Sequence, residues 1–168
     1  MYRAIRGVLA RYLEERDFRI VHISIQGNHL HILLEATSKR ALSRGMQGLA
    51  ISCARALNHA LGRTGKVFEY RYHATQITTA RQARNTLAYI LNNWRRHRED
   101  LFNTATMKAA IDPYSSGISF AGWAGAPRFA TPDGYEPLPV SRATTRLLAD
   151  EWRWHGAIDP FECPGPLR

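Results

Sequence analysis

The sequence predicts an α+β domain with an irregular C-terminal extension, on three observations. Apolar residues recur at helical spacing in three stretches of the first hundred residues. Two β-branched runs, FRIVHISI at 18–25 and HLHILLEA at 29–36, flank a short Gln26-Gly27-Asn28 turn. All 8 prolines lie beyond residue 112, where the periodicity fades. The chain of 168 residues therefore divides into a patterned unit, 1–100, and an accessory Pro/Gly/Trp-rich extension, 101–168.

Each element follows from its pattern. Ile5, Val8, Leu9 and Leu13 line one side of a helix over 3–15. In the second strand Leu30, Ile32, Leu34 and Ala36 take one face, and His29, His31, Leu33 and Glu35 the other. Ser38 caps a helix running to about Leu61, with Leu42, Met46, Leu49, Cys53 and Leu57 as its stripe; Gly45 and Gly48 weaken it or permit close approach. After a GRTG turn at 62–65, the aromatic and β-branched run at 66–77 predicts a further strand.

Thr79 caps a helix over 80–98 whose buried stripe is Ala83, Leu87, Ile90 and Trp94. Tyr89, Asn93, Gln82, Asn85 and Arg96 form a polar ridge on another face, which meets either solvent or a site. In the extension, 141–153 reads as a short helix and DPYSSG at 112–117 as a docked loop. Trp123, Trp152 and Trp154 there call for a surface to pack on.

Composition narrows the function classes. No apolar stretch approaches the roughly 20 residues of a membrane span, and none near the start resembles a signal peptide. Cys53 and Cys163 form no zinc spacing or disulfide framework, so a cytoplasmic protein without membrane partners is expected. The net charge of +9 is unevenly placed: residues 1–100 carry 17 Lys+Arg against 7 Asp+Glu, residues 101–168 carry 6 against 7. A field of that kind favours an acidic partner, nucleic acid first among them.

His29 and His31 project from one strand face about 6.6 Å apart along its axis, a spacing that can put two nitrogens on one divalent ion. A Gln, Asn or carboxylate from a neighbouring helix would complete a set suited to Mg²⁺ or Mn²⁺. Two alternating histidines are more often ordinary half-buried residues, and a tyrosine beside a core stripe usually packs its ring. A tyrosine hydroxyl is also a competent nucleophile toward phosphorus.

Three stretches together resemble the HUH single-tyrosine transposases, in particular the REP-associated branch: IQGNHLHILLE at 25–35, GRTGKVFEYRYHA at 62–74 and YILNN at 89–93. The resemblance covers about residues 3–98. It implies a ferredoxin-like antiparallel sheet with helices packed on one face, and His29, His31 and Asn93 as ligands of Mg²⁺ or Mn²⁺. It further implies Tyr89 as the nucleophile that cuts and rejoins single-stranded DNA at imperfect-palindrome hairpins, through a covalent 5′-phosphotyrosine, in a monomer or homodimer. Arg63, Lys66, Arg71, Arg95 and Arg96 are the candidates for DNA phosphate contacts, by charge and proximity to the motifs. Phe68, Tyr70 and Tyr72 either stack bases or belong to a strand core.

The sequence departs from the family in three places. The family's fold begins with a central strand ahead of the first helix, whereas this chain starts at MYRAIRG inside that helix. The sheet is thus expected to lack its first strand, or to have the gap filled by 116–121 or by a partner chain. Gln26-Gly27 stands where the family has Met-Pro, and Trp94 follows Asn93 where the family often has proline. Besides the enzyme, two other readings fit: a catalytically inactive, truncated or domesticated hairpin-binding protein, and a small RNA-associated protein.

Overall fold

The computed structural model describes residues 1–97, 110–127, 129 and 133–165. Helix α1 (Tyr2–Ala10) leads into an antiparallel hairpin, β1 (Phe18–Ile25) and β2 (Leu30–Ala36). Two longer helices follow, α2 (Lys39–Ala60) and α3 (Ala80–Arg96), and the extension adds a short α4 (Arg146–Ala149) between irregular segments. Among the described residues β1 and β2 make a two-stranded sheet.

Strand alternation decides what lies on each face of that sheet. Ile20, Ile23, Ile25, Leu30, Ile32, Leu34 and Ala36 join a core with Ile5, Val8 and Leu9 of α1 and Leu49, Cys53 and Leu57 of α2. Both helices therefore pack on one face, as the amphipathic stripes require. Val21 and Leu33 belong to a second core with Ala83, Leu87, Ile90 and Leu91, so α3 lies across the opposite face. The register slips between Ile20 and His22, and that bulge at Val21 lets β1 supply apolar side chains to both layers.

The expected caps are present: Ser38 accepts a hydrogen bond from the Ala41 N–H and Thr79 from the Gln82 N–H. Gly45 permits a close approach, since a Cβ there would run into the Phe18 ring. Two expectations are corrected. Helix α1 stops at Ala10 instead of 15, because the Arg11 and Tyr12 N–H groups turn back onto Val8 and Leu9 and send the Tyr12 ring against Phe18. No strand forms over 66–77: the segment finds no edge to pair with, leaving Tyr70 81% exposed, and only Val67, Phe68 and Ile77 find apolar cover. Aromatic alternation signals a fit to a half-buried pleated surface and yields no strand without one.

The extension covers the edge of β1 that β2 leaves open. The Ile25 N–H donates to the Tyr114 carbonyl at 2.9 Å, the Ile23 N–H to Ser116 Oγ at 3.0 Å, and the Ser141 N–H to the Ile20 carbonyl at 2.8 Å. The edge groups of β1 are thereby satisfied by residues roughly ninety or more positions away in sequence. Tyr114 and Ser116 lie inside the docked loop at 112–117, Ser141 lies further on, and of the 116–121 filler expected from sequence only Ser116 bonds β1. Leu138 is fully buried in the α1/α2 core, while Trp152, Ile158 and Phe120 are buried against α3. Trp154, by contrast, is 72% exposed.

Two buried polar groups make this packing sensitive to acid. His22, buried on β1, shares a hydrogen bond between Nδ1 and Ser116 Oγ at 3.0 Å. Burial pushes its pKa down to about 4 from the ordinary 6.5. Across that interval the unfolded chain binds a proton that the folded chain refuses, so stability is lost as pH falls from 6.5 toward 4. Glu35 acts at lower pH. Burial alone would raise its pKa, but hydrogen bonds from the N–H and hydroxyl groups of Thr145 and Thr144 outweigh burial and hold it below the ordinary value. Its contribution is present above the ordinary carboxylate range and disappears as pH drops through the lowered pKa. Melting temperature should therefore begin to fall below about pH 6.5, and His22→Gln should lessen the decline above pH 4, leaving the share that the similarly lowered His31 contributes. A pH-independent melting temperature between 7 and 5 in the parent protein would contradict this assignment.

Candidate metal and nucleophile site

The turn at 26–29 sets the first part of the site. The Gln26 N–H donates to the His29 carbonyl at 2.9 Å, closing the hairpin immediately before β2. His29 and His31 then share the face of β2 that looks toward α3. Their Nε2 atoms approach to 2.9 Å, with the rings nearly perpendicular at 85°. The Asn28 side-chain oxygen lies 2.6 Å from His29 Nδ1. A carbonyl oxygen only accepts, so it holds the proton on Nδ1 and leaves the Nε2 lone pair facing His31.

Helix α3 supplies the roof. The Tyr89 ring meets the His31 ring edge-on at 5.0 Å between centroids, and His97, at the end of the helix, meets His29 at 5.8 Å. Tyr89, Asn93 and His97 are spaced four residues apart and so share a helix face. Asn93, between the two contacts, is fully buried, and both polar atoms of its amide lack a hydrogen-bond partner. The polar ridge is thus divided: Gln82, Asn85 and Arg96 are exposed, Tyr89 is half-buried and Asn93 is sealed. The Tyr89 hydroxyl makes no hydrogen bond among the described residues, and the Arg96 guanidinium lies 5.7 Å from its ring centroid.

The electrostatics favour neutral imidazole. Burial, reinforced by His29 and His97 nearby, lowers the His31 pKa to about 4. At neutral pH the ring is uncharged, and His31 Nε2 carries the proton of its 2.9 Å contact with the His29 lone pair, a proton that shifts to Nδ1 when Nε2 ligates a metal. Two cis nitrogen ligands at about 2.1 Å from one ion would stand about 3 Å apart, close to the 2.9 Å between these nitrogens. Among the described residues no group of three or more His, Cys, Asp or Glu side chains could hold a metal ion. Further ligands would have to be amide oxygens, and the unpartnered Asn93 amide fits that need.

The basic candidates fall into separate places. Arg63 closes the loop after α2, donating to Asn58 Oδ1 at 3.0 Å and to the Lys66 carbonyl at 3.1 Å. Lys66 and Arg71 are exposed. No hydrogen bond, ion pair or ring contact links these three to the histidine–tyrosine cluster among the described residues. Arg95 turns into the extension: its guanidinium bonds the Pro160 and Ala110 carbonyls and lies between the Trp94 and Phe161 rings. Of the two adjacent arginines, Arg96 is the one left at the surface beside Tyr89.

Sequence reasoning passed over His97 and Gln26. His97 continues the Tyr89–Asn93 spacing by one more helical step, so periodicity alone points to it. Gln26 is legible only once the hairpin is closed, because the turn sets it opposite His29.

A basic α+β chain thus carries a histidine pair on a hairpin beneath a tyrosine-bearing helix, an arrangement suited to phosphoryl chemistry. Residues 1–93 match the family model described as IS200-like transposase, and the chain belongs to that family. The match spans His29, His31, Tyr89 and Asn93 and ends inside α3. No curated protein and no solved structure matches the chain. No helix among the described residues is long and apolar enough to cross a membrane.

Proposed function

We propose that this family member is a metal-dependent enzyme of the REP-associated branch, with a ferredoxin-like ancestry for its sheet. It nicks and rejoins single-stranded DNA beside hairpins, acting in the cytoplasm as a monomer or homodimer. The observation that carries the reading is the contact of the Tyr89 ring with His31, itself paired with His29. In this reading His29, His31 and Asn93 hold Mg²⁺ or Mn²⁺. The ion supplies polarisation of the scissile phosphate and stabilisation of charge on its oxygens.

Tyr89 Oη attacks phosphorus: the P–Oη bond forms and the P–O3′ bond breaks. The 3′ oxygen leaves as a hydroxyl, carrying the proton that the phenol gives up. The 5′ phosphate stays on Tyr89, so bond energy is conserved, and attack by a 3′ hydroxyl reverses the step without ATP. Arg96, whose guanidinium lies 5.7 Å from the Tyr89 ring centroid, is proposed to contact a DNA phosphate. Arg63, Lys66 and Arg71 are proposed to bind the backbone further along the strand, while Arg95 serves the extension.

The test is incubation of the protein with hairpin-bearing single-stranded DNA from its own gene's flanks and Mn²⁺, resolved on a denaturing gel. The reading expects a shortened strand with a free 3′ end and a slower protein–DNA species, both suppressed by EDTA. Tight hairpin binding with no cut strand would instead support the inactive hairpin-binding protein.

A further inference from the structure

Beside the histidine pair lies a second buried amide, whose oxygen has no partner. Gln26 is 3% exposed, and its Oε1 is buried with no hydrogen bond. Ser24 stands opposite His31 and His22 opposite Leu33 in the hairpin, and strand alternation puts Gln26 on that same face, opposite His29.

A directional chain fixes how this amide is turned. Asp112 accepts hydrogen bonds from the Tyr114 N–H at Oδ1 and from the Ser24 hydroxyl at Oδ2. The one hydroxyl proton of Ser24 is thereby spent. Ser24 Oγ must then accept from the Gln26 side chain, and Gln26 Nε2 is the atom that faces it. Gln26 Oε1 is left as a bare carbonyl oxygen. A native fold rarely keeps a buried carbonyl unpaired, and a bound water or ion is one of the explanations where it does.

Building on the proposed function, we propose that Gln26 Oε1 is a further ligand of the divalent cation held by His29 and His31, in addition to the amide that Asn93 brings from α3. The chemistry supports this assignment. Mg²⁺ and Mn²⁺ prefer oxygen ligands, and the described residues offer no carboxylate or third histidine in a metal-holding group. Two amide oxygens, one from the hairpin and one from the helix, complete a mixed N/O set. The Gln26-to-Ser24-to-Asp112 chain pre-orients the oxygen, so the loop that carries Asp112 tunes the metal from a distance.

The test is Mn²⁺ titration of the full chain without DNA, by calorimetry and by the loss of the free-Mn²⁺ electron paramagnetic resonance signal. Gln26→Met keeps the length and removes the oxygen, and should weaken Mn²⁺ binding about tenfold. Gln26→Glu adds a charged oxygen and should tighten binding several-fold, a gain that a merely structural glutamine would not give. Equal Mn²⁺ affinity in the parent and Gln26→Met, with binding lost in His31→Ala, would overturn the Gln26 assignment and leave the histidine site standing. No binding by the folded parent would overturn both.

Discussion

Replacing Tyr89 by Phe should abolish the covalent protein–DNA species while leaving the fold intact. Removing a covalent nucleophile costs roughly a thousandfold or more in rate, because neighbouring groups can orient the phosphate but cannot form the bond. The structural cost is small. The hydroxyl has no hydrogen-bond partner among the described residues, and the ring that touches His31 and Arg96 is retained. Melting should therefore change by no more than about 0.5 kcal/mol, and Mn²⁺ binding should be unaltered. Tyr70→Phe provides the contrast. Tyr70 is 81% exposed and Phe keeps its ring, so that change should leave cleavage at the parental rate. A Tyr89→Phe protein that still forms the adduct would remove Tyr89 from the mechanism.

The second large effect lies in the extension. Trp152 is 2% exposed, its ring centroid 5.3 Å from that of Phe120, in the core that holds Ala83, Leu87, Ile90 and Leu91 of α3. Truncation to alanine empties a site bounded on several sides, which typically costs about 3–5 kcal/mol. Against a total of about 5–15 kcal/mol, that is a large share of the stability of a small domain. The damage should also reach the site, because Trp152 packs beneath the helix that positions Tyr89 and Asn93. Arg84 adds to this strap with a paired contact to Glu162, as does Asn92 with its bond to the Asp159 carbonyl at 2.9 Å. Denaturant unfolding of Trp152→Ala should show the loss, and the exposed Trp154→Ala should change stability by less than about 0.5 kcal/mol. Equal midpoints for the two variants would mean that the extension does not support α3.

The elements near the site were largely legible in sequence because their signals are local. The hairpin strands, the Ser38 and Thr79 caps and the stripe Ala83–Leu87–Ile90–Trp94 are all fixed by residues within one helical turn or one strand repeat of each other. The histidine pair and the Tyr89–Asn93 spacing were readable for the same reason. What escaped depends on partners distant along the chain. The covering of β1 by Tyr114 and Ser141 joins residues roughly ninety or more positions apart, and no periodicity encodes such a choice. The run at 66–77 has strand chemistry but no edge to join, so a local pattern misled. In sequence Gln26 is one residue of a turn that departs from the family's Met-Pro, and its buried oxygen becomes visible only when Ser24, Asp112 and the histidine face are brought together.

Peptide mapping of the adduct tests Tyr89 as the nucleophile most directly. The protein would be incubated with Mn²⁺ and hairpin-bearing single-stranded DNA, digested with nuclease and trypsin, and searched by mass spectrometry for nucleotide-modified peptides. A phosphonucleotide is expected on Tyr89 alone, formed with Mn²⁺ and absent with EDTA. DNA cut with no modified tyrosine, or with the modification on another residue, would contradict that role.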